Sequence, residues 1–504
     1  MTTTSEIQPP REQMLLVTSI TDKQPEATTE TEEQIVKIMN PTEAKQVEEP
    51  TGIQPQTPAA LTFKSTVHQP STPINPPPAK RKLPISNKYS PTVTIITTPV
   101  NANRFRPAIT RATKANLKIQ VIKLELRLTE VGLSEGCENF DMIPSADLFG
   151  KMYAAMDMLE KPSENVLRRL TPAPSCIISD NQFPWTTDLA RRLNIPRLVF
   201  HGPGCFTYLC LHIVMNTNVL NEINSDSGYF VLPGIPDRIE LTKAQAGGWG
   251  KRETKEMEDF FKRMEVAADA ANGIVVNSFD ELEHNYVNEL TKATDKKVWC
   301  IGRVSMHNRS FLDVAERGKK AGIDESDCLK WLDLKSHGRS TTGETERWLS
   351  GYEEMVKDRG LIVRGWAPQV LILSHQAVGG FVTLEGVTAG VPMVTYPQFA
   401  DQFINERFVV DVLKTGVSIG IVVPVVSEQD KFGALVKKEN IKIAVESVMG
   451  DERDGKVRRK RARELGELAK RAMAEGGSYL NTTLMIQDII EELAKNTKPS
   501  QDVL

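Results

Sequence analysis

Trp366-Ala-Pro-Gln369, His375, Gly379-Gly-Phe-Val382, Glu385, Gly390-Val-Pro-Met-Val-Thr395 and Asp401-Gln402 follow one another in one stretch of the chain. The apolar runs at 379–382 and 392–395 read as short buried strands, and Leu361-Ile-Val363 just before them as a third. Outward from this stretch the pattern repeats. Thr92-Val-Thr-Ile-Ile-Thr97, bounded by Pro91 and Pro99, reads as a strand, as do residues 117–126, 175–179, 197–200 and 273–276. A helix is predicted over 185–193. Strands alternating with helices at this spacing argue for parallel sheets in doubly wound α/β domains.

Composition agrees. The 504 residues are 40% hydrophobic and 25% charged, a balance expected of a soluble globular protein with two or three domains. The net charge of −3 gives no reason to expect nucleic acid or an anionic membrane as partner. None of the six cysteines forms a CxxC pair or stands at metal-ligand spacing, so reduced thiols in a cytoplasmic protein are expected. No apolar run reaches the roughly 18 residues of a membrane span, and the N-terminus lacks the pattern of a secretory signal. Residues 1–88 are rich in Thr, Pro, Gln and Glu and read as a disordered, low-complexity tail. Near the C-terminus a helix over 456–474 carries an apolar stripe of Leu465, Leu468, Ala469 and Ala472. Its Arg458-Arg-Lys-Arg461 cluster reads as a solvated face.

Three features bear on chemistry. In the opening stretch, a Trp beside a Pro offers a flat face on which a base can stack. Gln369 and Glu385 can hydrogen-bond sugar hydroxyls, and Asp401-Gln402 sets an acceptor beside an amide, a pairing suited to a hexose. Singly, each is also ordinary loop or core chemistry. The second feature is Pro174-Ser-Cys-Ile-Ile-Ser-Asp180-Asn-Gln-Phe-Pro-Trp185. Asp180 ends a strand, where α/β folds place function, and it can equally cap the helix that follows. The third is Phe200-His-Gly-Pro-Gly-Cys-Phe206, with His201 just after a strand, either a core histidine or a pocket residue.

In this order and spacing, the residues from Trp366 to Gln402 resemble the box that marks plant secondary-product UDP-glycosyltransferases. Gly360-Leu-Ile-Val-Arg-Gly365 and Phe403-Ile-Asn-Glu-Arg-Phe408 flank it as in the family. Glu135-Gly-Cys-Glu-Asn139, Lys297-Val-Trp-Cys-Ile-Gly302 and Gly476-Gly-Ser478 are similar to members acting on flavonoids, terpenoids and steroids. The resemblance spans about residues 89–492 and implies a GT-B-like α/β fold of two facing Rossmann-like domains. The expected organisation is an N-terminal acceptor-binding domain over 89–325, a C-terminal UDP-sugar-binding domain over 326–482, and a helix within 483–504 returning to the first domain. The reaction implied is inverting transfer of a hexose, glucose above all, from a UDP-sugar to a hydroxyl of a small plant metabolite, with no metal or other cofactor. The UDP-sugar would be held by Trp366, Ala367, Gln369, Glu385, Asp401 and Gln402. Phe183 and His201 would line the acceptor pocket, and Asp180 would orient a catalytic His.

The chain departs from the family in three places. No Gly-His loop precedes Thr92, so Asp180 lacks the His it would orient; without a positioned base, proton removal slows by about 10²–10⁴-fold. Phe381-Val-Thr383 runs directly into Leu384-Glu385, where the family inserts His-Cys-Gly-Trp-Asn-Ser-Thr and opens a helix whose N-terminus holds the diphosphate. After Leu332-Asp333 a strand, a helix and another strand are missing. Both domains are therefore expected to be incomplete. The alternative reading is a catalytically dead relic that binds acceptor alone.

Overall fold

The computed structural model describes residues 15–19, 91–143, 146–246, 255–304, 367, 369–382, 386–398, 400–422, 436–473 and 477–496. The expectations for residues 361–363, Trp366, Glu385 and most of the tail lie outside them. In chain order the strands are β1 (Leu15–Ser19), β2 (Thr92–Thr97), β3 (Ile119–Lys123), β4 (Cys176–Asp180), β5 (Arg197–His201), β6 (Tyr229–Val231), β7 (Glu240–Thr242), β8 (Gly273–Val276), β9 (Val298–Cys300), β10 (Phe381–Val382), β11 (Met393–Thr395) and β12 (Gly416–Ser418). Seven of them form one sheet in the order β3-β2-β1-β4-β5-β8-β9; β10, β11 and β12 form a second, parallel sheet; β6 and β7 make an antiparallel pair.

Why the first sheet is buried on both faces can be read from the alternation of its side chains. In β4, Cys176 and Ile178 pack on one side while Ile177 packs on the other. Leu198 and Val199 of β5 divide in the same way, as do Val275 and the flanking Ile274 and Val276 of β8. The helices α1 (Pro99–Lys114), α2 (Phe149–Asp157), α3 (Glu160–Leu167), α4 (Trp185–Leu193), α5 (Cys205–Asn216), α6 (Lys243–Ala246), α7 (Lys255–Asp269) and α8 (Asp280–Thr294) accompany this half. The second half holds α9 (Gln369–Leu373), α10 (Gln402–Arg407), α11 (Lys438–Met449) and α12 (Arg453–Ala472), and α13 (Ser478–Asn496) ends the described chain. Met485 and Ile489 of α13 pack against Cys176, Ile178, Leu198, Val275 and Trp299 of the first sheet. Asp488 accepts from the Trp299 indole N–H at 3.2 Å, and Asn481 donates to the Cys300 carbonyl at 2.9 Å.

One element departs from the sequence reading. Leu15–Ser19, inside the stretch read as tail, fills the slot between β2 and β4 and runs antiparallel to both, in a sheet whose other pairings are all parallel. The physical reason lies in its neighbours. Among the described strands, β2 pairs apart from β1 only with β3 and β4 only with β5, so these would otherwise present two unpaired ladders at the centre of the sheet. Leu15-Leu-Val-Thr-Ser19 is apolar and β-branched enough to satisfy both. The reversal has a topological consequence. Leu15 stands opposite Ile96 and Ser179, so the chain enters at the end of the sheet where β2 and β4 finish, and Ser19 leaves at the far end.

A second difference concerns the basic cluster of α12. The Arg458 guanidinium donates to the Ser447 carbonyl at 2.8 Å, and Arg459 donates to Val448 and Gly450 at 2.6 and 2.9 Å. These carbonyls end α11, where the helix dipole is negative and orphan acceptors need donors. Half of the cluster is therefore a cap rather than a solvated face. The apolar stripe is as expected, with Leu465, Ala469 and Ala472 buried and Leu468 packed against the same clusters.

Candidate functional site

A cleft of about 1200 Å³ runs between the two halves. The strand ends and loops after β4 and β5 supply Asp180, His201 and Gly204 to its wall; Asp401, Gln402 and Asn405 come from the opposite half. The halves are also joined beneath it. Phe206 of α5 stacks on Phe408 with ring centroids 4.8 Å apart, and Tyr286 of α8 meets both rings edge-on. Ile404, Phe408, Leu413 and Leu465 thus share one apolar cluster with Val199, Leu209 and Ile274.

Asp180 closes β4, and its Oδ1 accepts from the Gln182 N–H at 2.9 Å while its carbonyl accepts from Phe183 N–H. The carboxylate therefore fixes the turn that leads to α4 and lines the cleft, but it does not cap the helix, whose N-cap is Pro184 with no side-chain hydrogen bond. His201 ends β5 with only 6% of its surface exposed, its ring stacked on Tyr208 at 3.7 Å. Burial, and then the nearby Arg197 cation, push its pKa down to about 3. The imidazole is neutral at physiological pH, and its Nε2 has no hydrogen-bond partner among the described residues.

Arg197, at the start of β5, was not legible as a site residue. It is 1% exposed and donates to Ser179 Oγ at 3.0 Å, Thr187 Oγ1 at 2.9 Å and the Ala267 carbonyl at 2.7 Å. Burial lowers its pKa to about 10, opposed by the fields of Asp180 and Tyr208. A buried cation therefore acts on both Asp180 and His201. Glu283 was also missed. Its carboxylate accepts from the backbone N–H groups of Cys205 and Phe206 at 2.9 and 3.2 Å and so caps α5 from another helix. Burial raises its pKa.

On the other wall, Asp401 sits at the N-cap of α10, preceded by Ala400 at φ 52°. Its Oδ2 accepts from Asn405 Nδ2 at 3.0 Å, and Gln402 Oε1 accepts from the Gln398 N–H at 2.7 Å. The structure thus brings Asp180, His201, Asp401 and Gln402 to one cleft. Other expected residues fall elsewhere. Phe183 is 5% exposed and turned into the core against Trp185, ring centroids 5.9 Å apart, where it lines a separate cavity of about 30 Å³; the tight turn made by Asp180 points it inward. Gln369 begins α9, its N–H donating to Ala367 at 2.8 Å, and neither residue is on the cleft wall. Past residues 383–385, which lie outside the described residues, Val387–Ala389 form a one-turn 3₁₀ helix closed by Gly390 in the left-handed conformation.

All five cysteines among the described residues are buried free thiols. No described helix is long and apolar enough to cross a membrane.

Residues 350–450 match the family model for "UDP-glucoronosyl and UDP-glucosyl transferase". The chain is 50% identical over 450 residues to UDP-glycosyltransferase 73E1 of Stevia rebaudiana, covering 79% of this chain and 91% of that protein. It is 42% identical over 457 residues to UDP-glycosyltransferase 73C3 of Arabidopsis thaliana, covering 79% and 90%. Among solved structures it is similar to Glycyrrhiza uralensis UGT73P12 complexed with glycyrrhetinic acid 3-O-monoglucuronide, with a TM-score of 0.69, 30% identity, and coverage of 80% and 90%. With the two-sheet α/β architecture, these likenesses establish the GT-B fold and the ancestry: the chain belongs to the plant UDP-glycosyltransferase family, a family of hexosyltransferases.

Proposed function

We propose that this chain holds a UDP-hexose, with glucose as the sugar, against a small hydroxylated plant metabolite in the cleft and transfers the hexose with inversion. The observation that supports this is the shared cleft, with Asp180 and His201 on one wall and Asp401 and Gln402 on the other. The Asp401 carboxylate and the Gln402 amide together offer acceptors and donors to neighbouring sugar hydroxyls. The family resemblance assigns the uracil to Trp366 and the ribose to Gln369 and Glu385; Ala367 and Gln369 stand off the cleft wall, so this part of the grip rests on the resemblance alone. The acceptor oxygen attacks the anomeric carbon, its proton passes to solvent water in the open cleft, and UDP leaves with the electrons of the broken bond. His201 is a poor base because its conjugate acid, with a pKa of about 3, is too acidic to retain the proton. Its ring, stacked on Tyr208, shapes the acceptor side of the cleft. Transfer without the family's His is slower than in relatives by about 10²–10⁴-fold.

A second reading, an acceptor-binding protein without transferase activity, draws support from the 3₁₀ turn Val387–Ala389. A short turn presents fewer aligned amides to a diphosphate than a full helix. The deciding assay incubates the chain with labelled UDP-glucose and hydroxylated flavonoids, terpenoids and steroids. Slow formation of a β-glucoside supports transfer. Binding of an acceptor with no product at high enzyme concentration supports the second reading and contradicts the first.

A further inference from the structure

Thr207 and Asn405 stand 198 residues apart in sequence and meet in the cleft. The Thr207 hydroxyl, on the first turn of α5, donates to Asn405 Oδ1 at 2.6 Å. Asn405 Nδ2 in turn donates to Asp401 Oδ2 at 3.0 Å, and the Asn405 N–H donates to the Asp401 carbonyl at 2.9 Å. The direction of this chain is set by chemistry. An ionised carboxylate only accepts, so the amide nitrogen must face Asp401 and the amide oxygen must face Thr207. The hydroxyl is then obliged to donate. Flipping the amide would set Asn405 Oδ1 against a carboxylate oxygen.

Thr207 is 2% exposed, so its hydroxyl cannot exchange this partner for bulk water without opening the seam. The neighbouring Phe206–Phe408 stack holds the same two helical segments together. Asp401 is therefore oriented from the opposite half of the molecule. We propose that Asn405 is a positioning residue that ties the hexose-gripping carboxylate of Asp401 to Thr207 of the acceptor wall. The inference rests on the donor-site reading of Asp401 given above. Its consequence is that the sugar grip is complete only when the two halves are docked, so hexose recognition and the acceptor wall are set by one hydrogen-bond chain.

The test uses full-length protein carrying Asn405→Ala, Thr207→Val, both together, and Thr207→Ser. Urea unfolding supplies a double-mutant cycle. The expected result is coupling, with the double variant less destabilised than the product of the single effects by at least about threefold in unfolding constant. Calorimetry with UDP and with UDP-glucose supplies a readout that packing alone would not move. Asn405→Ala and Thr207→Val are expected to weaken UDP-glucose by about tenfold while leaving UDP within twofold, and Thr207→Ser is expected to behave as wild type. Additive effects in urea, or equal weakening of UDP and UDP-glucose, overturn the proposal. A wild-type chain that binds neither nucleotide contradicts the donor-site reading instead; the urea cycle then still decides the tie, because additivity overturns it without any ligand.

Discussion

Glu283 occupies the space that a side chain on Gly204 would need. A Cβ at Gly204 would overlap the Glu283 carboxylate, which is already committed to the N–H groups of Cys205 and Phe206. The turn that carries His201 toward the cleft is thus locked from α8, by a carboxyl group that accepts from the free N–H groups at the start of α5. Gly204→Ala is expected to destabilise the fold by about 1–3 kcal/mol through overpacking. Urea unfolding reads it directly, and an unchanged midpoint would show that Glu283 moves aside freely.

The buried His201 makes the protein sensitive to acid. Its folded pKa of about 3 lies below the ordinary value of 6.5, so the unfolded chain takes up the proton first. The stability it contributes is fully present above 6.5 and is lost as pH falls toward the folded value. His201→Phe keeps a ring against Tyr208 and removes the titration. Its stability is expected to fall less steeply than wild type between pH 6.5 and about 4. Parallel curves for the two proteins would contradict the assignment of that loss to His201.

The strand from the tail is expected to be indispensable. Val17 lies in register with Thr94 on one side and Ile177 on the other. Val17→Pro removes a ladder donor and forces the backbone of a central strand, at a cost of about 3 kcal/mol or more. Thermal unfolding should broaden or shift to markedly lower temperature. A variant that melts like wild type would mean the sheet does not depend on β1.

Arg459 is expected to act as a cap for α11. Arg459→Ala deletes two charge-assisted bonds, to Val448 and Gly450, and should cost about 1–3 kcal/mol in urea unfolding. Lys460→Ala, one residue on, is the control expected to cost little, because its pairing with Glu464 at 3.8 Å is exposed. Equal effects at the two positions would return the cluster to a solvated face.

Local signals carried well and distant ones did not. The β-branched run at 92–97 and the amphipathic segment at 185–193 are strand and helix in the structure over those residues, because propensity and burial agree there. Asp180 and His201 were visible because strand ends mark function in α/β folds. Arg197 was not, since a charge opening an apolar run reads as a boundary, and its guanidinium's partners lie as far as 70 residues on. Glu283 was hidden for the same reason, its partners standing 77 and 78 residues away. Leu15–Ser19 was lost in the composition of its surroundings; only the vacancy between β2 and β4 makes a strand of it. Phe183 was assigned by neighbourhood in sequence, and the turn at Asp180 reversed its direction.

The measurement that tests the central claim most directly is calorimetric titration of UDP into the full-length chain, alongside a Trp366→Ala variant. Micromolar affinity in the wild type, lost in the variant, is the result predicted for a cleft whose base-stacking face is assembled. No binding by a wild-type chain that still unfolds cooperatively would contradict the donor site and leave, at most, a protein that binds acceptors.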